Sequence, residues 1–171
     1  MTDHSPPWYD PVHRRHSVHL RDLDYRATGA YFVTLCTADR STIFGTVAGD
    51  EVHLTQAGRL VEDCWNWLAE QYLYVTLDAW VLMPNHLHGI LAIGETPGQR
   101  KPLGRLIGAF KTVSTKRVNE LRGTPGAVVW QRDYYEHIVR SESDLASIRQ
   151  YITDNPRQWA LDRENPCRMR R

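Results

Sequence analysis

The sequence predicts one α+β domain in which a mostly antiparallel sheet carries its helices on one face. Three observations support this fold class. Short β-branched runs and segments with helical periodicity follow one another in the order β, hairpin, α, β, β, α, β, α. The length of 171 residues suits a single domain. The apolar fraction of 42% and the charged fraction of 24% are typical of a globular chain.

The first half of the chain supplies a strand, a hairpin and a helix. The β-branched and aromatic residues of the segment 30–36 predict a buried strand. Two short runs within residues 42–54 flank Ala48-Gly49-Asp50, which indicates a hairpin. Apolar residues recur at helical spacing over residues 55–71, so this segment is predicted to be an amphipathic helix.

Two strands and a basic helix follow. Residues 75–83 and 86–93 are predicted to be buried strands, and Pro84-Asn85 between them indicates a turn. A loop over residues 96–102 leads into a helix predicted for residues 103–121.

The C-terminal part is predicted to contain a short strand and a third helix. The strand is placed at residues 127–131 and the helix at residues 141–155, where Ser141 caps the start and Pro156 ends it. The predicted organisation is an irregular N-terminal arm over 1–27, a domain over 28–160 and a tail over 161–171.

Composition argues against membrane and secreted proteins. We find no run of about 18 consecutive apolar residues, so neither a transmembrane helix nor a membrane partner is expected. The N-terminus lacks the apolar region of a secretory signal. The cysteines number three and are widely spaced, which argues against a disulfide framework and favours a cytoplasmic location.

The net charge of +1 hides two opposed blocks. Residues 41–95 carry seven acids and one base, a net charge of −6, whereas residues 100–122 carry seven bases and one acid, a net charge of +6. A basic block of this kind can neutralise nucleic-acid phosphates, although a solvated helix face has the same pattern.

Two short motifs contain residues suited to metal chemistry or nucleophilic attack. Side chains alternate along a strand, so His86 and His88 are expected on one face, as half of a metal site or as hydrogen-bonded sheet histidines. Tyr151 and Asn155 are four residues apart and would share a helix face. Tyr151 is a candidate nucleophile or a packed aromatic, and Asn155 is a candidate ligand or a helix C-terminal residue.

A third motif lies at residues 130–140, with the sequence WQRDYYEHIVR. Its aromatics could stack on bases and its cations could hold phosphates. Tyr134 and Tyr135 are rival nucleophiles, and His137 is a candidate ligand, general base or DNA contact. The same pattern also suits a strand end whose aromatics close the core.

Four segments together resemble one family. MPNHLHGIL, LGRLIGAFKTVSTKRVNEL, VWQRDYYEHIVR and YITDNPRQW follow one another as in the single-tyrosine HUH transposases. The chain is most similar to their REP-associated tyrosine branch. HUH denotes two histidines around a bulky apolar residue, here His86-Leu87-His88. The resemblance extends over roughly residues 14–159 and implies a ferredoxin-like or RRM-like core with the histidine pair on a central strand.

The resemblance also implies a ligand set and a nucleophile. It implies a divalent ion, Mg²⁺ or Mn²⁺, held by His86, His88 and Asn155. It places the nucleophile at Tyr151, in the helix just before the Asn-Pro pair, and not in the earlier tyrosine pair. The insertion-sequence branch has Gln where this chain has Asn155, and the shorter side chain reaches less far.

The activity implied by the resemblance is that of a metal-dependent endonuclease and strand transferase. It would act on single-stranded hairpin or palindromic DNA through a covalent 5′-phosphotyrosine intermediate, as a monomer or a homodimer. A non-catalytic nucleic-acid-binding module descended from such an enzyme is the alternative. DNA contacts are expected from basic residues of the helix, the third motif and the arm: Arg105, Lys111, Lys116, Arg117, Arg122, Arg132, His137, Arg140, Arg14 and Arg15.

Overall fold

The computed structural model describes residues 29–162. Its elements are β1 (Gly29–Cys36), β2 (Gly45–Ala48), β3 (Glu51–Leu54), α1 (Gln56–Gln71), β4 (Val75–Met83), β5 (His86–Ile93), α2 (Leu103–Arg122), β6 (Tyr135–Val139) and α3 (Glu142–Gln158), followed by a 3₁₀ turn at Trp159–Leu161. The predicted arm, with Arg14 and Arg15, lies outside the described residues, as does the predicted tail from residue 163 onwards.

The main sheet has four strands in the order β4-β5-β1-β6, and β2 and β3 form a separate hairpin. Every neighbouring pair in the main sheet is antiparallel. The connection β1–α1–β4 leaves a gap that β5 fills, and this split arrangement is the ferredoxin-like pattern. The predicted α+β class with an antiparallel sheet is confirmed, and the histidine pair lies on β5, a central strand.

Local sequence signals account for the helix ends. The Thr55 hydroxyl accepts the Gly58 N–H at 3.1 Å at the start of α1, and the Ser141 hydroxyl accepts the Asp144 N–H at 3.1 Å at the start of α3. Gly123, with φ of 63°, ends α2 in the left-handed conformation that glycine adopts without strain. Within residues 29–162, none of the helices is both long and apolar enough to cross a bilayer.

The helices cover both faces of the sheet, whereas the sequence predicted helices on one face only. On the first face, α1 and α2 pack over a large core that includes Tyr31, Val33 and Leu35 of β1. On the second face, Phe32 and Ile90 pack against α3. The central strands are apolar on both faces, so each face must be covered to remove it from water. The single-face prediction rested on the order of the elements, which does not specify the face that each helix covers.

The last strand lies later in the chain than predicted. Residues 127–131 contribute one isolated bridge, from Trp130 to Thr37, and Val128 is 75% exposed. The strand that pairs with β1 on the side away from β5 is β6. Between them, the Lys111 ammonium group donates to the carbonyl oxygens of residues 131, 132 and 133, which holds these groups away from the sheet ladder.

Pro156 does not end the third helix. It lies inside α3, which continues to Gln158. A proline removes one backbone donor and is costly in a helix interior, but here only the final turn follows it. The Pro156 carbonyl accepts the Trp159 N–H, so the chain turns back towards the sheet directly after the helix.

Candidate metal and nucleophile site

The histidine pair lies on the face of the sheet that α3 covers. His88 is opposite Thr34 of β1, and His86 is opposite Cys36. Their ring centroids are 4.5 Å apart, and their side chains are almost completely buried. Because β5 is paired on both sides, the backbone holds the two imidazoles in one arrangement.

Hydrogen bonds at Nδ1 orient both rings. The His88 Nδ1 lies 2.8 Å from the Thr34 hydroxyl, and the His86 Nδ1 lies 2.9 Å from the Asn85 side-chain oxygen. Their Nε2 atoms face groups from the C-terminal part of the chain. His88 Nε2 is 3.4 Å from the Tyr151 hydroxyl, and His86 Nε2 is 3.6 Å from the Asp162 carboxylate. Partners of this kind at Nδ1 are typical of metal-binding histidines.

The environment of His88 favours its neutral form. Burial, and secondarily the neighbouring His86, hold the pKa of the His88 imidazole well below its usual range. A neutral imidazole keeps a lone pair, which is the form that binds metals.

Tyr151 is held beside His88 by α3. Ile148 and Ile152 of the helix are buried against Phe32 and Ile90 of the sheet. The Tyr151 ring is half-buried, edge-on to Phe32 at 6.1 Å and to His88 at 5.2 Å between centroids. The ring therefore packs in the second core while its hydroxyl reaches the histidine pair.

Two oxygen donors accompany the histidines. Asn155, one turn after Tyr151, is 3% exposed, and its side-chain oxygen has no hydrogen-bond partner among residues 29–162. An unsatisfied buried oxygen is costly unless a ligand completes it. Ligand atoms of His86, His88 and Asp162 lie within 4.8 Å of one another. Imidazole nitrogens with carboxylate or amide oxygens suit Mn²⁺ well, and this donor set fits the implied ion.

Sequence reasoning missed Asp162. Asp162 falls in the predicted tail, where no motif distinguishes it from other acidic residues. The turn after α3 brings it back, and the Trp159 ring lies 6.0 Å from the His86 ring on the way. Asp162 is a candidate ligand only because of this reversal of the chain, which no local sequence signal indicates.

The rival tyrosines lie elsewhere. Tyr135 is opposite Thr34 on β6, so two strand spacings, about 10 Å, separate it from His88 across the sheet. The Tyr134 ring packs with the first core and lies under the Lys111 ammonium group at 5.3 Å. The Tyr151 hydroxyl lies 3.4 Å from His88 Nε2, whereas Tyr135 packs on the same face of the sheet from a strand two spacings away.

The predicted DNA-binding residues are distributed over a wide surface. Exposed side chains belong to Arg105, Lys116, Arg117, Arg122, Arg132 and Arg140. Those of α2 lie on the face opposite the histidines, because α2 packs on the first core. Arg132 and Arg140 flank β6, the strand at one edge of the sheet.

Several of the predicted DNA-binding residues also have contacts within the protein. The contacts of Arg117 with the Cys64 sulfur and of Lys116 with the Glu120 carboxylate are 3.9 Å long, and those of Lys111 and His137 are shorter. Lys111 bonds three carbonyl oxygens at 2.8, 3.1 and 3.3 Å, and burial lowers the pKa of its ammonium group to about 8. His137 Nε2 lies 2.9 Å from the Asp144 carboxylate and joins β6 to α3. Their contacts are structural, and we base no DNA contact on them.

Comparison with known proteins gives the class to which this fold and site belong. Residues 30–155 match the family model described as "Transposase IS200 like", which is more than half of the chain. The chain belongs to this family of transposases, and the family predicted from its motifs is confirmed.

Individual proteins are also similar to this chain in sequence or in fold. An uncharacterized protein of Haemophilus influenzae is 32% identical over 169 residues, covering 88% of this chain and 93% of that protein. A "Putative REP-associated tyrosine transposase" of the same organism is 26% identical over 141 residues, covering 78% and 73%. The fold is similar to that of a REP-associated tyrosine transposase bound to a REP hairpin, with a TM-score of 0.55 and 20% identity over 75% of this chain and 66% of that chain.

Proposed function

We propose that the protein is a metal-dependent DNA endonuclease and strand transferase that works through a covalent 5′-phosphotyrosine at Tyr151. The observation that carries this proposal is the 3.4 Å approach of the Tyr151 hydroxyl to His88 Nε2, beside a His-His-Asp cluster. A nucleophile and a metal site in such proximity suit attack on a phosphodiester.

We assign the divalent ion, Mg²⁺ or Mn²⁺, to His86 and His88, with Asp162 and Asn155 as oxygen donors. When bound, the ion would supply Lewis-acid polarisation of a phosphate oxygen. Two imidazole nitrogens favour Mn²⁺ over Mg²⁺. The buried side-chain oxygen of Asn155 supports its place in this set, since a ligand would satisfy it.

The residues of the chain orient the attack. A tyrosine hydroxyl has an ordinary pKa near 10 and is mostly protonated at neutral pH, so it needs a nearby group to favour loss of its proton. The tyrosine oxygen would bond to phosphorus while the bond to the 3′ oxygen breaks, and that oxygen would leave as a 3′-hydroxyl after taking a proton. The phosphotyrosine would retain the phosphodiester energy, so a second 3′-hydroxyl could reverse the step and transfer the strand.

The substrate we propose is single-stranded DNA that carries a hairpin. A REP hairpin is the ligand in a solved structure of similar fold. The exposed basic side chains of α2 would contact DNA phosphates on one face of the sheet, while the histidines lie on the other face. Arg132 and Arg140 flank the edge strand between the two faces, so a DNA strand that passes this edge could reach both sites.

The test is a covalent-adduct assay. A hairpin oligonucleotide labelled at its 3′ end is incubated with the protein and Mn²⁺, and adducts are separated under denaturing conditions. We expect an adduct that chelator, Tyr151→Phe and His88→Ala each abolish, and that Tyr134→Phe and Tyr135→Phe retain. An adduct that survives Tyr151→Phe would refute the assignment. Hairpin binding without any adduct, and insensitive to chelator, would favour the non-catalytic module.

A further inference from the structure

A buried amide joins the candidate metal site to the loop after β1. Asn85 is 0% exposed; its side-chain nitrogen donates to the Arg40 carbonyl oxygen at 3.0 Å, and its oxygen lies 2.9 Å from His86 Nδ1. We propose that Asn85 is a positioning residue that selects the Nδ1–H tautomer of His86 and so presents the Nε2 lone pair to the metal. This inference rests on the proposed function, since it concerns the same site.

The chemistry of the hydrogen-bond partners determines the tautomer. A backbone carbonyl only accepts, so the Asn85 atom that faces Arg40 must be the amide nitrogen. The other amide atom is the oxygen, which also only accepts, and the His86 Nδ1 that faces it must carry the hydrogen. A neutral imidazole has a single N–H, so Nε2 is then the nitrogen with the lone pair.

This tautomer changes the character of the contact with Asp162. The His86 Nε2 and the Asp162 carboxylate oxygen are 3.6 Å apart. With hydrogen on Nε2, the two groups would form a weak hydrogen bond. With hydrogen on Nδ1, a nitrogen lone pair and a carboxylate face each other, and a bound divalent cation would stabilise both groups. Asn85 therefore decides between a hydrogen-bonded contact and an open pair of ligands.

The loop holds the Asn85 amide in one orientation. Arg40 has φ of 59°, in the left-handed region that non-glycine residues rarely adopt. The Arg40 N–H donates to the Thr37 carbonyl at 3.2 Å, and the Thr37 N–H donates to the Asn85 carbonyl at 2.8 Å. A flip of the amide would place its oxygen against the Arg40 carbonyl and lose the bond that holds this turn.

The experiment measures the tautomer directly. Imidazole nitrogen shifts of His86 are recorded by NMR at pH 8 in the metal-free protein, and Mn²⁺ affinity is measured by calorimetry. We expect a single Nδ1–H tautomer in the wild type. Asn85→Ala should mix the tautomers and weaken Mn²⁺ binding by about 10–100-fold, the usual effect of losing an outer-shell partner. Arg40→Gly keeps the carbonyl and suits the positive φ. In this variant we expect the same His86 tautomer and a Mn²⁺ affinity within about twofold of wild type.

Two results would overturn the proposal: hydrogen on Nε2 of His86 in the wild type, or an unchanged tautomer and unchanged Mn²⁺ affinity in Asn85→Ala. If Asn85→Ala does not fold, Asn85→Asp replaces it. That variant keeps an acceptor for His86, so it should keep the Nδ1–H tautomer, and loss of this tautomer would count against the proposal. The tautomer is measured without metal or DNA, so an Nδ1–H His86 in a protein that forms no DNA adduct would refute the proposed function alone.

Discussion

Gly58 and Gly108 form a matched pair of helical glycines for which we expect opposite effects of substitution by alanine. In an open helical position this change stabilises a protein by up to about 1 kcal/mol. A Cβ at Gly108 would meet no atom within 4 Å. At Gly58 it would lie 2.1 Å from the Phe44 carbonyl oxygen and 3.2 Å from the Leu54 Cβ. Gly108→Ala should therefore stabilise the protein, and Gly58→Ala should destabilise it.

Gly58→Ala lowers the free energy of unfolding because the backbone of Phe44, which is hydrogen-bonded on both sides, would have to move. The Phe44 carbonyl accepts the Thr55 N–H at 2.9 Å, and the Phe44 N–H donates to the Pro84 carbonyl at 2.9 Å, next to the histidine strand. Overpacking costs about 1–3 kcal/mol, and the strained hydrogen bond about 1 kcal/mol more. After the gain in helix propensity, a net loss of about 2 kcal/mol remains, equivalent to a fall in Tm of about 4–8 °C.

Thermal and urea unfolding of the two variants beside the wild type would measure both effects. Equal stability of Gly58→Ala and Gly108→Ala would refute the reasoning, because it would mean that the close approach of helix and hairpin costs nothing.

Three further predictions concern charge and metal. Burial lowers the pKa of Lys111 to about 8, whereas an unfolded lysine keeps its proton to about 10.5, so between these values the unfolded state binds more protons and the free energy of unfolding rises with pH. Urea titrations from pH 8 to 10 should show this rise relative to Lys111→Met, and parallel pH profiles would contradict it. Mn²⁺ at about 100 times its Kd should stabilise the folded protein by about 2.7 kcal/mol, an effect that His88→Ala abolishes in thermal scans. Asp162→Ala should weaken Mn²⁺ binding by about tenfold or more, measured by calorimetry, and wild-type affinity in this variant would remove Asp162 from the ligand set.

The separation of the basic helix from the histidine pair limits how DNA can bind. In the sequence the basic block lies between the histidine motif and the Tyr151 motif, but α2 and α3 pack on opposite faces of the sheet. Any DNA strand that contacts both α2 and the histidine pair must pass an edge of the sheet. Arg132 and Arg140, which flank β6, are consequently more informative targets for mutation than the basic residues in the middle of α2.

Local sequence patterns were sufficient to predict most of the elements and two of the candidate ligands. Periodicity located β1, α1, β4, β5 and α2 to within a residue or two, because each has a strong apolar pattern and a clear cap or turn at its end. His86 and His88 were predictable as a pair, since alternation along a strand depends only on local geometry. The family could be recognised from motif order, which requires no coordinates.

The packing of the folded domain determines which groups that are distant in the sequence come into contact. Tyr134 packs on the other face of the sheet, whereas Tyr135 lies on the same face as Tyr151 but two strand spacings from His88. Periodicity specifies neither the face nor the strand order. Asp162 joins the site because the chain reverses after α3, and Asn85 acquires its role through a carbonyl 45 positions earlier in the chain. Such contacts are set by the burial of both faces of the sheet, a property of the whole packed domain that no local segment encodes.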